Sequence, residues 1–114
     1  MPLIVVNTSL TLEKEQKDAI KSEMGKAITI IPGKTEQVLM VDVSDGRTIY
    51  FHGEEPKQAA HVDVHIYGSA NFAVKSEFTQ AIYKVLNDTV GLKDDEVFVT
   101  INEHSVWGAK GKLK

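Results

Sequence analysis

Two stretches of helical periodicity, each flanked by segments rich in β-branched residues, constrain this chain more than any other feature. From residue 12 to residue 31, apolar side chains recur every three or four positions, and Pro32-Gly33 predicts the end of that helix. The same helical spacing of apolar residues recurs over residues 71–87, and Gly91 just beyond it predicts the end of the second helix. The flanking segments 3–8, 38–43, 62–67 and 97–102 predict strands. The order of elements is therefore β-α-β followed by β-α-β.

The two halves also match in sequence. Segment 34–41 (KTEQVLMV) resembles segment 93–100 (KDDEVFVT) in its lysine, its acidic positions and the onset of its strand. We therefore expect a duplicated βαβ unit, with pseudo-repeats at about 2–58 and 59–114 of one domain spanning residues 1–114. Right-handed crossovers would place both helices on one face of a four-stranded sheet, an α/β (α+β) fold.

The connecting segments carry weaker patterns. Thr48-Ile49-Tyr50-Phe51 predicts a short additional strand, and residues 53–56 predict a loop. The three lysines Lys110, Lys112 and Lys114 predict a solvated tail.

Composition excludes several classes of function. Thirteen basic and sixteen acidic side chains give a net charge of −3, which argues against a nucleic-acid partner. The sequence has no cysteine, so it has neither disulfides nor thiolate chemistry, and it suits a reducing compartment, which we expect to be the cytoplasm. The apolar run at residues 3–6 is too short to be a membrane span, and no basic residue precedes it.

Strand alternation predicts a second sheet face that the helices do not cover. The side chains of Val62, Val64 and Ile66 should face the helices, whereas His61, Asp63, His65 and Tyr67 should point away. On the neighbouring strands, Phe98, Thr100, Asn102, Val38, Met40 and Asp42 would extend this mixed apolar and polar surface. A lone chain would leave it in water, so we expect a homo-oligomer built on the sheet faces.

The run His61-Val62-Asp63-Val64-His65 allows two interpretations. Two imidazoles and a carboxylate on one strand face are metal-ligand types. Alternate residues of a strand lie about 6 to 7 Å apart, however, so three of them rarely reach one ion. The spacing favours a hydrated interior surface, and we expect no metal.

The pair Met1-Pro2 offers a possible base. If an aminopeptidase removes Met1, Pro2 becomes a free secondary amine, and burial or a nearby cation lowers the pKa of such an amine below the usual range of about 7.7 to 8. The alternative is that Pro2 is merely a common second residue, and the dipeptide alone favours that alternative.

The order of several short motifs resembles the tautomerase superfamily, in particular the members related to macrophage migration inhibitory factor and D-dopachrome tautomerase. The motifs span nearly the whole chain, and together they are more specific than any one alone. They are Met1-Pro2 with the following strand to Asn7-Thr8, Gly33-Lys34, Phe51 with Gly53 and Glu55-Pro56, Tyr67-Gly68, and Trp107.

The resemblance implies a homotrimer of duplicated βαβ subunits with no cofactor. It assigns proton transfer to Pro2 and the binding of a substrate carboxylate or developing enolate to Lys34. Tyr67 falls where the family uses a main-chain group to bind substrate. A neutral amine beside a fixed cation suits enolisation, because a carbon-bound proton is removed while negative charge grows on oxygen. Lys34 by itself would be interpreted as a solvent-facing lysine after a helix.

The chain departs from the family at the expected pocket wall. Phe98 and Thr100 replace a tyrosine and an asparagine, so a hydroxyl and an amide are missing, although the ring of Phe98 can still contact an aromatic substrate. Lys57-Gln58-Ala59-Ala60 stands in place of the family's Cys-x-x-Cys element. Trp107 is expected at a subunit contact.

We therefore expect a tautomerase that interconverts keto and enol forms of small α-keto acids such as phenylpyruvate. Dehalogenase and decarboxylase chemistry in the superfamily resembles sites with extra arginines, and Arg47 is the sole arginine here. The alternative from another class is a binding or signalling module with a vestigial pocket, and phenylpyruvate turnover discriminates between the two.

Overall fold

The computed structural model of the chain describes residues 1–55 and 58–114. Pro56 and Lys57, which belong to two of the compared motifs, lie outside the described residues. The main elements are β1 (Pro2–Thr8), α1 (Lys14–Ala27), β2 (Met40–Ser44), β3 (Ala60–Tyr67), α2 (Phe72–Val90) and β4 (Val97–His104). Two short strands, β5 (Gly108–Ala109) and β6 (Lys112–Leu113), follow them.

The four long strands form one mixed sheet in the order β2-β1-β3-β4. β1 is parallel to β2 and antiparallel to β3, and β3 is parallel to β4. Ile4 and Val64 on the central strands are fully buried against Ile20 of α1 and Phe78 of α2. Both helices therefore cover the same face of the sheet, and the expected α+β fold is confirmed.

Local hydrogen bonds explain where the helices begin and end. The backbone N–H of Glu13 donates to Gln16 Oε1 at 2.8 Å, so α1 begins after Glu13. It ends at Ala27, and a 3₁₀ turn at Ile28–Ile30 continues the chain to Pro32. Asn71 Oδ1 accepts a 2.8 Å hydrogen bond from Val74 N–H at the start of α2, which runs to Val90, beyond the predicted residue 87. Gly91, with a φ of 72°, ends it as predicted.

Two of the shorter predictions are wrong in detail. β2 begins at Met40 rather than at residue 38, because Glu36–Val38 forms a 3₁₀ turn. The segment 48–51 forms no strand, and of its residues Phe51 alone makes an isolated bridge, to Glu54. Its β-branched and aromatic residues suit a strand, but no neighbouring strand within the described residues pairs with it.

The lysine-rich C-terminal segment is a hairpin and not a simple tail. Trp107 N–H donates to the carbonyl oxygen of Lys114 at 3.1 Å, and Lys114 N–H donates to that of Trp107 at 2.8 Å. Lys110 and Gly111 both have positive φ values, 54° and 77°. Two successive residues with positive φ at the tip of the hairpin form the two-residue turn whose twist matches that of the paired strands.

The sheet face away from the helices, here called the open face, carries the alternate residues of every long strand. The predicted orientation of β3 is confirmed, since Val62, Val64 and Ile66 are fully buried whereas His61, Asp63 and His65 are only half-buried. At the outer strands, Met40 is 67% exposed and Phe98 is 61% exposed. No helix formed by the described residues has the length and apolar character needed to cross a membrane.

Candidate active site

A tight turn after α1 positions Lys34. Lys34 N–H donates a 3.1 Å hydrogen bond to the carbonyl oxygen of Ile31, and Gly33 has a φ of 80°. Proline at the second position of such a turn and glycine in the left-handed region at the third are the residues that a type II β-turn favours. Pro32-Gly33 therefore ends the helical region and fixes where the Lys34 side chain begins.

The backbone of Tyr67 links Lys34 to the first residue of the chain. Lys34 Nζ donates a 2.7 Å hydrogen bond to the Tyr67 carbonyl oxygen. Tyr67 N–H donates to the carbonyl oxygen of Met1 at 3.2 Å. Pro2 is buried and pairs with Ile66, the neighbour of Tyr67 in β3. The structure therefore brings together Pro2, Lys34 and Tyr67, three of the predicted site residues.

The environment of this corner favours a neutral amine. The pKa of the Met1 amino group is lowered from its ordinary value, first by partial burial and then by the positive charge and hydrogen bonding of Lys34. Lys114 contributes a smaller effect in the same direction. A base at this end of β1 would therefore lose its proton more readily than an amine in water.

Phe98 and Thr100 lie elsewhere in the chain. Pro2 pairs with Ile66, which in turn pairs with Glu103, whereas Phe98 pairs with His61 near the other end of the sheet. Glu103 lies five positions beyond Phe98 along β4, which corresponds to about 16 Å of extended strand, and three positions beyond Thr100, or about 10 Å. One chain therefore does not bring its own Phe98 and Thr100 to Pro2.

Phe98 belongs instead to a small aromatic cluster. Its ring centroid lies 4.8 Å from that of Phe51, in a tilted arrangement. The ring of His52 stacks on Phe51 at 4.0 Å. His52 was not among the predicted site residues. Because Phe98 stays largely exposed beside Phe51, this cluster presents an aromatic surface to whatever covers the open face.

Asp63 is the centre of a hydrogen-bond network on the open face. Its Oδ1 accepts hydrogen bonds from Thr100 Oγ1 at 2.8 Å and from Asn102 Nδ2 at 2.6 Å, and its Oδ2 lies 3.1 Å from His65 Nε2. Partial burial raises the pKa of Asp63, but the hydrogen bonds from Thr100, His65 and Asn102 together outweigh burial and lower it. Asp63 therefore stays a carboxylate near neutral pH.

His104 joins this network and was missed in the sequence. His65 Nδ1 lies 2.8 Å from His104 Nε2, and the His104 ring meets Trp107 edge to face. The predicted strand stops at residue 102, whereas β4 continues to His104. Extending the alternation of Phe98, Thr100 and Asn102 by one step would have placed His104 on the open face.

Neither of two clefts elsewhere in the chain contains the predicted site residues. A cleft of about 450 Å³ between the helices is lined by residues including Ala19, Ala81 and Val85. Another, of about 430 Å³, lies between α2 and β4 beside Tyr83 and Ile101. Within residues 1–55 and 58–114, no group of three or more histidine, aspartate or glutamate side chains is placed to hold a metal ion.

Comparison with models of protein families identifies the family to which the chain is related. The family model described as Macrophage migration inhibitory factor (MIF) matches residues 1–111. The chain belongs to the macrophage migration inhibitory factor family. The resemblance of its motifs is thereby confirmed at the level of the family. A comparison with curated protein sequences finds no match.

Solved structures of other members of the macrophage migration inhibitory factor family share the fold. The chain is 22% identical to MIF2 of Leishmania major, with a TM-score of 0.91, and the match covers 100% of this chain and 97% of that one. It is 18% identical to the MIF-like protein of Entamoeba histolytica, with a TM-score of 0.86 and coverage of 99% and 98%.

A third solved structure is that of Pt0534 inactivated by 2-oxo-3-pentynoate. Pt0534 is 15% identical to this chain, with a TM-score of 0.80 and coverage of 90% and 85%. At these identities, the three solved structures show a common fold.

Proposed function

We propose that the protein is a cofactor-independent tautomerase, which interconverts keto and enol forms of small α-keto acids such as phenylpyruvate. The observation that carries this proposal is the meeting of Lys34, the Tyr67 backbone and the N-terminal end of β1 in one corner of the fold. We place its activity in the cytoplasm, since the sequence has no cysteine.

In this mechanism Pro2, freed of Met1, is the general base. Its neutral nitrogen takes a proton from the carbon next to the keto group. The electron pair of the broken C–H bond forms the C=C double bond, and the π pair of the carbonyl group moves to its oxygen. Return of the proton to that oxygen gives the enol. A base with a pKa close to the working pH is the most effective, and partial burial beside a lysine shifts an amine in that direction.

Lys34 would bind the anionic part of the substrate. An ammonium group has three N–H donors, and the Tyr67 carbonyl oxygen accepts from Lys34 Nζ, which leaves two donors for a carboxylate or an enolate oxygen. A fixed positive charge stabilises the transition state as negative charge grows on the substrate oxygen. The same charge favours the neutral form of the base.

The complete site would need more than one subunit. Phe98 lies about 16 Å of strand away from the Pro2 end of the sheet and Thr100 about 10 Å, so they would reach a substrate only in a neighbouring copy. The exposed apolar side chains of Phe98 and Met40 on the open face support burial of that face between copies. We propose a homotrimer, in which Phe98 of one subunit forms a wall of the site at Pro2 of the next.

A structural relative supports the substrate class. Pt0534, which shares the fold, is inactivated by 2-oxo-3-pentynoate, a 2-oxo acid. A protein with the same fold therefore reacts with a compound that carries the keto acid group of the proposed substrate.

A second candidate function is a binding or signalling module that has no need of turnover. It is favoured by the two departures at Phe98 and Thr100, which remove a hydroxyl and an amide from the pocket wall expected in the family. Such a module would keep the fold and the assembly while losing the chemistry.

Enolisation of phenylpyruvate by Met1-processed protein tests the proposal directly. The enol absorbs in the near ultraviolet, so its formation and decay can be followed over the uncatalysed rate. We expect saturable catalysis that is weakened in the Lys34→Ala variant and unchanged in the Lys26→Ala variant, because Lys26 is an exposed lysine paired with Glu23. Assembled, processed protein that shows no rate above background would instead support the binding module.

A further inference from the structure

One hydrogen bond joins two histidines on the open face, and one of these histidines also contacts a carboxylate. His65 Nδ1 and His104 Nε2 lie 2.8 Å apart, and the two rings are stacked with centroids 5.1 Å apart. The other ring nitrogen of His65, Nε2, lies 3.1 Å from Asp63 Oδ2. The three side chains form a continuous row, called the Asp63 relay here, in the order Asp63, His65, His104.

The chemistry of the groups fixes where the protons lie. A carboxylate can only accept, so His65 Nε2 carries a proton and donates it to Asp63. In neutral His65, Nδ1 is then an acceptor, and His104 Nε2 must donate to it. His104 Nδ1 then carries no proton. Within the relay it is the one unprotonated nitrogen whose lone pair is not already used by a hydrogen bond.

A first added proton breaks nothing. It binds at His104 Nδ1, and the proton between the two rings can then belong to either histidine. Both hydrogen bonds of the relay remain, and the positive charge is shared next to the Asp63 carboxylate. A second added proton would place N–H groups on both sides of the 2.8 Å contact, where neither nitrogen could accept.

We propose that Asp63, His65 and His104 form one proton-binding site, which takes up a single proton with its hydrogen bonds intact and a second only by separating the two histidines. The proposal concerns protons bound by the open face, and it does not depend on enzymatic activity.

The surroundings hold this row in place. Asp63 also accepts from Thr100 and Asn102, so its oxygens have fixed partners. Leu3 and Val5 of β1, which pair with His65 and Asp63, are apolar.

Other titratable groups lie around the Asp63 relay. His61 contacts Thr100 Oγ1 at 2.8 Å, and Tyr67 pairs with His104. On the far side of β1, Asp42 pairs with Val5. Asp63 is therefore the acidic group in direct contact with the two histidines.

Separation of the histidines would be felt at the C-terminal hairpin. The ring of His104 contacts Trp107 at a centroid distance of 5.6 Å, and Trp107 closes the hairpin through its two hydrogen bonds to Lys114. Proton uptake at His104 is thereby connected to the position of Trp107 and of the hairpin that it closes.

Nitrogen-15 NMR of the histidine rings of the wild-type protein, titrated from pH 8 to pH 4.5, tests the proposal. We expect the His65 and His104 signals to move together in one step that takes up one proton. The second proton should bind in a separate step at lower pH, because coupled sites titrate in separate macroscopic steps. Independent uptake of one proton by each ring in the same pH range would overturn the proposal.

The pH dependence of stability gives a second readout. Below the ordinary imidazole pKa of about 6.5, the unfolded chain binds two protons at these residues whereas the folded relay binds one. As the pH falls from 6 to 5, the unfolding equilibrium constant of the wild type should therefore rise by a larger factor than that of the variant His104→Gln. The factor for the wild type should be up to about tenfold larger than the factor for His104→Gln. The glutamine amide can donate to Nδ1 of neutral His65 and its carbonyl oxygen can accept from protonated His65, so the folded variant takes up the same single proton as its unfolded chain.

A matched control is His52→Asn. His52 is an exposed histidine outside the relay with a φ of 58°, which asparagine tolerates. This variant should keep the wild-type dependence on pH. Equal slopes for the wild type and His104→Gln would contradict the proposal, and if His104→Gln does not fold, the NMR titration of the wild type decides alone.

Discussion

The ammonium group of Lys34 donates a 2.7 Å hydrogen bond to the main-chain carbonyl oxygen of Tyr67. The contact uses no part of the tyrosine side chain. A backbone carbonyl is fixed by the pairing of β3, so it holds Lys34 Nζ near the end of β1 whichever side chain the residue carries. The corner therefore keeps its geometry without the phenol ring of Tyr67, and this leads to two predictions.

Replacement of Lys34 by alanine should impair anionic substrates selectively. A charge-assisted hydrogen bond contributes about 1.5 to 3 kcal/mol, so kcat/KM for phenylpyruvate should fall about 10- to 150-fold. An uncharged analogue, such as an ester of the same acid, should lose much less. Steady-state kinetics with both compounds measure the difference, with Lys26→Ala as the control. Equal losses for both compounds would assign Lys34 a structural role.

Replacement of Tyr67 by leucine should have little effect on turnover. The Tyr67 N–H and carbonyl oxygen make the contacts to Met1 and Lys34, and both remain in the variant. We expect kcat/KM for phenylpyruvate to change less than about threefold, which is under 1 kcal/mol. A loss as large as that of Lys34→Ala would show that the phenol ring itself contacts the substrate.

Phe98 should set the preference for aromatic substrates. In Phe98→Leu the apolar surface beside Phe51 is kept while the ring is lost, and aromatic pairs contribute about 0.5 to 1.5 kcal/mol beyond burial. The ratio of kcat/KM for phenylpyruvate to that for an aliphatic α-keto acid should fall about 2- to 12-fold. Phe72→Leu, at an exposed phenylalanine on α2, is the matched control and should leave the ratio unchanged.

Assembly through the open face should be visible in solution. We expect sedimentation equilibrium to give a mass of three times 12.6 kDa. Val5→Lys would place a charge in the middle of the open face, between Asp42 and Asp63, without touching the buried core. It should shift the protein toward monomers and reduce turnover together. A wild-type protein that is monomeric at micromolar concentration would remove the shared site.

Much of the fold could be predicted because the periodicity of the sequence matches its burial. The alternation of Val62, Val64 and Ile66 with polar residues identified both the strand and the face that meets the helices. The hairpin could not be predicted in this way. Its strands are two residues each, too short for a period to show, and its turn depends on a positive φ at Lys110, which the residue type does not indicate.

The candidate site was predictable only in part for a similar reason. Lys34 follows a Pro-Gly turn that can be recognised locally, but its contact with Tyr67 joins residues 33 positions apart. No local pattern encodes such a contact, and family resemblance alone assigned the two residues to one substrate site without predicting that they touch. The separation of Phe98 from Pro2 follows from strand register, which depends on how β1, β3 and β4 pair and not on any one strand.

Activity should require removal of Met1. While Met1 remains, the nitrogen of Pro2 is part of a tertiary amide and has no basic lone pair, so it cannot accept a proton from the substrate. Mass spectrometry of active protein should show a chain that begins at Pro2. A preparation with extra residues before Met1 that resist cleavage should have less than about 1% of the kcat/KM of the processed form, since general base catalysis contributes about 10²- to 10⁴-fold.

The pH dependence of turnover should show a base with a lowered pKa. Partial burial and Lys34 lower the pKa of the amino group at this end of the chain, so the basic form of Pro2 should dominate to a lower pH than a free α-amine would allow. The kcat/KM of the processed enzyme should therefore fall as pH drops through a midpoint below about 7.7. In Lys34→Gln, where the positive charge is absent, that midpoint should move to higher pH. Full turnover by protein with Met1 attached would reject Pro2 as the base, whatever the pH profile showed.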